Sequence, residues 1–381
     1  MILFRLNVVR LFNKNIKLFS GVLLFVCCLS GLTAQAQVDS VAVDTIKKKS
    51  KFFPSPVVGY TPETRLYLGA GLVWYLPPSK KYPDTYPSVL KSVFVYTFNK
   101  QVESNVSGDS YLRDNLFKLN YSTSYFKFPD SFYGIGNDTK EEDKEKYDYD
   151  YFNIYINGQR KVKENIYAGA KTFFEYTKVY NILEGGIFDT DTITGEEGGR
   201  NVGLGPWFTF DTRDNIYFPL SGVNVDVSAV VHNEILGSEY NYVDYFIEAS
   251  QFNKVGKDDV IGFNFFGQFV PGNPPFNRLA QLGGDKHMRG NFEGRFRDKN
   301  YMTFQAEYRV TFWKYFGVTA FGGIGEVADR FSNFSLSGLK YSYGVGGRLF
   351  IVPEDKLSLR VDYGFDGYGN GGFYVTFREA F

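Results

Sequence analysis

The sequence predicts an all-β chain, a transmembrane antiparallel β-barrel of about 16 strands with long loops at one end, and three observations carry that expectation. Apolar and polar residues alternate with period two in segment after segment from Phe52 to the last residue. Beyond the first residues, no apolar run reaches the roughly 18 to 20 positions that a membrane-crossing helix needs. The composition has 39 Phe, 29 Tyr and 40 Gly against 3 Met, a balance that suits strands, tight turns and interfacial aromatic girdles.

Residues 1–36 read as an export signal. Arg5, Arg10, Lys14 and Lys17 precede the apolar run Val22 to Leu32, and Ala34-Gln35-Ala36 offers a small-residue cleavage site before Gln37. Cys27 and Cys28, the 2 cysteines of the sequence, would leave with it, so neither a disulfide nor a redox site is expected. Acylation of either is disfavoured because Val26 and Cys27, the residues that precede them, are not small. Residues 37–51 form a short polar tail, expected in the periplasm, that ends in Lys47-Lys48-Lys49-Ser50-Lys51. The barrel is expected over 52–381, in the bacterial outer membrane, with its lipids as surroundings. Lys plus Arg and Asp plus Glu number 42 each, which leaves no basic footprint for nucleic acid.

Strands are expected at 54–60, 65–76, 88–98, 101–112, 115–127, 149–161, 165–179, 201–211, 222–235, 239–253, 259–269, 301–312, 316–326, 340–352, 356–364 and 371–380. Two faces separate cleanly in several of them. Phe117, Leu119, Tyr121, Thr123 and Tyr125 oppose Lys118, Asn120, Ser122 and Ser124. Likewise Phe304, Ala306, Tyr308 and Val310 oppose Gln305, Glu307 and Arg309, and Leu357, Leu359, Val361 and Tyr363 oppose Ser358, Arg360 and Asp362. With both termini in the periplasm, the long connections 128–148, 180–200, 270–300 and 327–339 all fall outside. Short links such as Val162-Lys163-Glu164 and Lys314-Tyr315 fall inside, a sorting that a miscount by one strand would scramble.

The most specific local feature is Gly283-Gly284-Asp285-Lys286-His287-Met288-Arg289-Gly290-Asn291-Phe292, between the eleventh and twelfth expected strands. It resembles the sixth extracellular loop of the BamA/TamA family of outer-membrane assembly factors, the bacterial surface-antigen barrels. In that family a hydrophobic-Arg-Gly-aromatic motif folds back into the lumen and its guanidinium pairs with acidic groups on following strands. The resemblance therefore implies a luminal loop with Met288, Arg289, Gly290 and Phe292 as its motif, Asn291 standing where the family has its aromatic. It implies Glu307, luminal in the expected register, as the acidic partner, while Gly323 stands where the family tends to place an Asp. The segments Phe132 to Thr139 and Asp211 to Asn215, continuing to Pro219 and Gly222, resemble recurrent surface-antigen segments, and turn chemistry explains their Gly, Asn and Asp equally well.

Asn370 to Phe377 resembles the signal by which barrels reach the assembly machinery, with Gly372, Val375, Phe377 and the final Phe381 as its residues. Alternation would set Phe373, Val375, Phe377 and Phe381 on the lipid face, which an ordinary last strand also requires. Family members carry periplasmic POTRA repeats, and residues 37–51 are too few to hold one. The resemblance thus implies a barrel acting in outer-membrane protein assembly, insertion or translocation, with a separate periplasmic or lipoprotein partner and client outer-membrane proteins. The alternative is a pore or scaffold barrel passing small solutes or one exported substrate. Pro54 and Pro56 lack amide donors, so the pairing of the first strand with 371–380 is expected to be thin.

Catalysis is not expected. Only His232 and His287 could serve as base, and neither has a Ser in a motif-like position. Asp189, Asp191, Glu196 and Glu197 read as a solvated acidic loop rather than a calcium site, as does the run 141–146. No metal or cofactor is expected.

Overall fold

The computed structural model of the chain describes residues 49–61, 65–97, 101–189 and 192–381. The expected export signal, most of the polar tail and Asp191 lie outside the described residues.

The strands are β1 Lys51–Thr61, β2 Arg65–Leu76, β3 Ser88–Thr97, β4 Val102–Leu112, β5 Phe117–Phe132, β6 Glu145–Lys163, β7 Ile166–Tyr180, β8 Gly198–Asp211, β9 Gly222–His232, β10 Asn241–Val255 and β11 Asp259–Phe269. Then come three short pieces, β12 Gly272–Asn273, β13 Ala280–Leu282 and β14 Phe296–Asp298, and five long strands, β15 Asn300–Trp313, β16 Phe316–Ala328, β17 Lys340–Val352, β18 Leu357–Asp366 and β19 Gly371–Phe377. Each long strand pairs antiparallel with the next, and β11 pairs across the loop with β15. The register is unbroken where it can be anticipated: Glu307 opposes Phe321, and Arg348 opposes Arg360. Among the described residues the long strands number 16, the count that the alternation implies.

The two faces are inverted relative to a water-soluble sheet. Phe304 is 47% and Tyr308 42% exposed, while their neighbours Gln305, Glu307 and Arg309 are at most 2% exposed. Val345 and Phe373 are also exposed, and Arg348, Arg360 and Asp362 are buried. An outward apolar band around an inward polar face is the arrangement of a membrane barrel, because lipid wets the outside. Side chains of the 270–299 connection touch β7, β10, β15 and β18 from within, so the sheet curls around it. The loop carries its own apolar core, in which Ala280, Leu282, Met288 and Phe296 pack with Phe266, Tyr301 and Val327 of the wall.

Strand boundaries differ from expectation in several places. The strands anticipated at 115–127 and 149–161 run on to Phe132 and back to Glu145, and the loop 128–148 shrinks to 133–144. Tyr147 is the cause: it buries with Phe132, Phe188 and Phe276, partners far off in the chain that the acidic local composition conceals. The first strand begins at Lys51, and its ladder to β2 includes Pro54 opposite Leu72 and Pro56 opposite Ala70. The last strand stops at Phe377 instead of 380. Arg378 takes φ +75°, and the chain then turns inward, so Phe381 is not on the lipid face as alternation suggests but stacks on buried Phe252 inside the barrel.

Candidate functional site: a luminal arginine loop

Tight backbone turns bring the loop to the wall. Gly283, Gly284, Gly290 and Gly294 all have positive φ, as does Met288 at +51°. Gly290 admits no substitute: its φ is +109°, and a Cβ there would lie 2.4 Å from the Phe365 carbonyl carbon. A Cβ on Gly364 would come 2.5 Å from the Arg289 carbonyl oxygen, so loop and β18 touch backbone to backbone. The Gly290 amide donates to Tyr374 Oη on β19 at 3.0 Å, and the Met288 amide donates to Gln305 Oε1 on β15 at 3.0 Å. Gly323 has a physical role here, since a Cβ would meet Met288 Sδ at 3.3 Å and Gln305 Cγ at 3.0 Å. A larger side chain at that position would displace the methionine.

Arg289 is fully buried. Its Nη2 donates to Glu307 Oε1 on β15 and its Nη1 to Asp362 Oδ2 on β18. The Phe321 ring lies beneath, 3.6 Å from Cζ to its centroid. A guanidinium suits this position because its planar fork serves two carboxylates at once and keeps its charge when dehydrated. The pairs then continue into a closed circuit. Arg309 Nε donates to Glu307 Oε2 at 2.8 Å and lies 3.7 Å from Glu379 Oε2. Arg348 Nε donates to that same Glu379 oxygen at 2.7 Å, and its Nη1 donates to Asp362 Oδ1. Three guanidiniums and three carboxylates alternate around the ring, so each buried charge in it lies between two of opposite sign, and Arg360 Nε adds a further cation 3.6 Å from Asp362 Oδ2. Arg360 flanks it, donating from Nη2 to the Asp285 carbonyl at 2.8 Å.

Glu307 is thus in contact with Arg289. The second carboxylate is Asp362, which the sequence reading left out of the site; its signal was a charge at mid-strand on the face opposite Val361 and Tyr363. Arg309, Arg348 and Glu379 were missed for the same reason, since alternation tells a luminal charge from a lipid-facing residue but not which charges meet. Phe292 leaves the ring region and stacks near Tyr133, with centroids 5.8 Å apart. On β19, Val375 is exposed to the lipid side, Gly372 opposes Gly364, and Phe377 packs against the Val73, Tyr75 and Leu357 cluster.

Of the two histidines, His232 ends β9, stacked on Tyr242 with Nδ1 2.6 Å from Asn201 Oδ1. His287 lies in the loop with Nε2 3.1 Å from Glu248 Oε1. Nearby, Glu293 faces the interior of the barrel. Although the residue is exposed to the space the wall encloses, the enclosure, and then the carboxylates of Asp285 and Asp130, push its pKa up to about 7. Asp189 accepts from the Gly185 amide at 2.9 Å, a turn contact.

Among curated proteins none matches the chain. Solved structures do. BamA from Haemophilus ducreyi lacking POTRA domains 1-3 is similar at TM-score 0.53 and 13% identity, over 87% of this chain and 71% of that one. CdiB from Acinetobacter baumannii matches at TM-score 0.55 and 11% identity, and CdiB from Escherichia coli at 0.54 and 9%. This chain spans 59% and 63% of those two proteins. At such identities the likeness is one of fold, an outer-membrane barrel. Residues 98–381 match the Omp85 superfamily domain, a stretch that holds the arginine loop and its whole ring of partners. The chain belongs to the Omp85 superfamily.

Proposed function

We propose that this barrel takes part in the assembly, insertion or translocation of outer-membrane proteins, together with a separate periplasmic or lipoprotein partner that delivers the client. The single observation behind this reading is the buried Arg289, clamped between Glu307 and Asp362 inside a lipid-facing cylinder. Two bonded carboxylates and a glycine fitted to 2.4 Å are more than a solvated loop needs, and they hold loop 270–299 against β15, β18 and, through Gly290, β19. Of the strands so gripped, β19 is the last of the sheet and β18 its ladder partner.

A weak junction between β1 and β19 supplies the mechanism. Proline lacks a donor, and within a sheet it is tolerated where its nitrogen faces away from the ladder. Pro54 and Pro56 sit in a strand paired with β2 along its length, and by that rule their missing donors belong on its other edge. A seam with fewer hydrogen bonds opens at lower cost and presents strand edges to a client. Cysteine pairs scanned across it, one between Ser55 and Val57 and one between Phe373 and Val375, test the idea. Cross-linking is expected to stop the appearance of new outer-membrane proteins in depleted cells; full function with a fully cross-linked seam overturns it.

A pore is the second reading, favoured by the polar strip on β4 and β5, in which Asn105 donates to Ser122 and Ser124 and Asn120 donates to Asp109. Large steady openings in planar bilayers, with outer-membrane protein levels unchanged on depletion, would select it over assembly.

A further inference from the structure

Residues 378–381 do not continue β19. The Arg378 amide still donates to the Ser358 carbonyl at 2.9 Å, but its φ of +75° turns the chain into the lumen. There each side chain with chemistry to offer meets a fitted partner, and the partners come from opposite parts of the barrel. Arg378 Nη1 donates to Asp109 Oδ2 on β4 at 2.6 Å, and its guanidinium lies 4.9 Å from the Tyr217 ring centroid. Glu379 accepts from Arg348 at 2.7 Å and from Ser358 Oγ at 3.1 Å. Ala380 is buried. Phe381 stacks on Phe252 with centroids 6.1 Å apart, and its carbonyl oxygen accepts from Arg309 Nη2 at 3.1 Å. Gly262 makes room for that ring, since a Cβ there would come within 3.2 Å of it.

An ordinary strand end explains none of this. It would leave Phe381 in lipid and Glu379 solvated, whereas here an acidic side chain is buried among arginines and an aromatic ring is half-buried against Phe252. Glu379 also balances the arginine ring. Without it, Arg309 would keep only Glu307 and Arg348 only Asp362, in a site that already holds a fourth buried guanidinium, Arg360.

We propose that the luminal slot formed by Asp109, Arg348, Arg309, Phe252 and Gly262 is a peptide-binding site for a basic-acidic-small-aromatic sequence, held by this chain's own Arg378 to Phe381, and that its occupancy closes the ring around Arg289. Four residues thereby link β4 to β10, β15 and β17 from inside, and an emptied slot loosens the arginine loop. The inference holds whatever the barrel's cargo.

The test removes residues 378–381 in a chain carrying Ser358→Cys, a position fully covered beside Glu379. In the purified barrel, a small charged thiol reagent should label this cysteine at least about tenfold faster than in the full chain, equivalent to about 1.4 kcal/mol of lost protection. A synthetic Arg-Glu-Ala-Phe peptide should restore protection with saturation, and Arg-Lys-Ala-Ala should not. Equal labelling with and without residues 378–381, or no protection by the first peptide in a folded truncated barrel, overturns the proposal. If the truncated chain does not fold, the full chain decides. Gly262→Cys and Phe381→Cys, bridged by a short bifunctional thiol reagent, should give a cross-linked band, and a folded barrel that cannot be bridged overturns the proposal.

Discussion

Strands β15 to β18 and strands β4 and β5 share one alternating pattern of sequence, yet their inner faces meet different surroundings. In the first group, buried and exposed residues alternate strictly over much of each strand, because the loop and the segment after β19 cover the luminal side chains. In β4 and β5 nearly every residue on both faces is half-buried. The chemistry follows the cover. Where water is excluded the wall carries Glu307, Arg309, Arg348 and Asp362, each with an opposite charge in contact. Where the face is more open its middle carries Asn105, Ser122 and Ser124, which need no such pairing, and ion pairs stand toward one end, at Asp109 with Arg378 and Lys118 with Asp211. A barrel interior is thus not uniform: one side is a packed, ionic core and the other is a wetted wall.

That contrast fails if charges on the covered side prove dispensable. Arg289→Ala takes one guanidinium from Glu307 and one from Asp362 in a dehydrated site, leaving them Arg309 and Arg348, and losing one partner of such a group costs up to about 3 to 5 kcal/mol. The expected outcome is a heat-labile barrel whose folded band on unheated gels disappears at lower temperature; unchanged mobility and melting would break the comparison. Val345→Arg tests the outer face at mid-strand, where a charge in lipid costs about 2 to 4 kcal/mol and should reduce folding yield in bilayers. Gly290→Ala forces an unfavourable backbone conformation against Phe365, a strain of about 1 to 3 kcal/mol. It should loosen the loop while leaving the lipid-facing wall intact, visible as faster amide exchange in 283–294. On the open side, Asn105→Ala removes hydrogen bonds that water can replace, so a change of about 1 kcal/mol or less is expected in denaturant titrations. A loss equal to that of Arg289→Ala would erase the distinction between the two sides.

The smallest effect is one of pH. Glu293 has a pKa raised from 4.5 to about 7 in the folded state, so the folded loop holds its proton where an unfolded chain has released it. Its contribution is therefore complete below about pH 4.5 and is lost as pH rises through about 7. Its carboxylate faces space within the barrel, which keeps the effect modest. Glu293→Gln should flatten loop exchange between those limits, and an unchanged profile would assign the pH response elsewhere.

Alternation, composition and the lack of a long apolar run together pointed to the membrane barrel, and alternation implied the sixteen long strands found among the described residues, because period two is a local property that lipid outside and polar contacts inside both reinforce. The arginine motif was legible because Met288, Arg289 and Gly290 are consecutive. What only the tertiary structure decided were meetings between distant residues: Asp362 with Arg289, Glu379 with Arg348, Tyr147 with Phe276, and the inward turn at Arg378 that takes Phe381 away from lipid. Each depends on where a curled sheet brings strands dozens of residues apart, and a luminal charge looks the same in sequence whether its partner is water, the loop or the far wall.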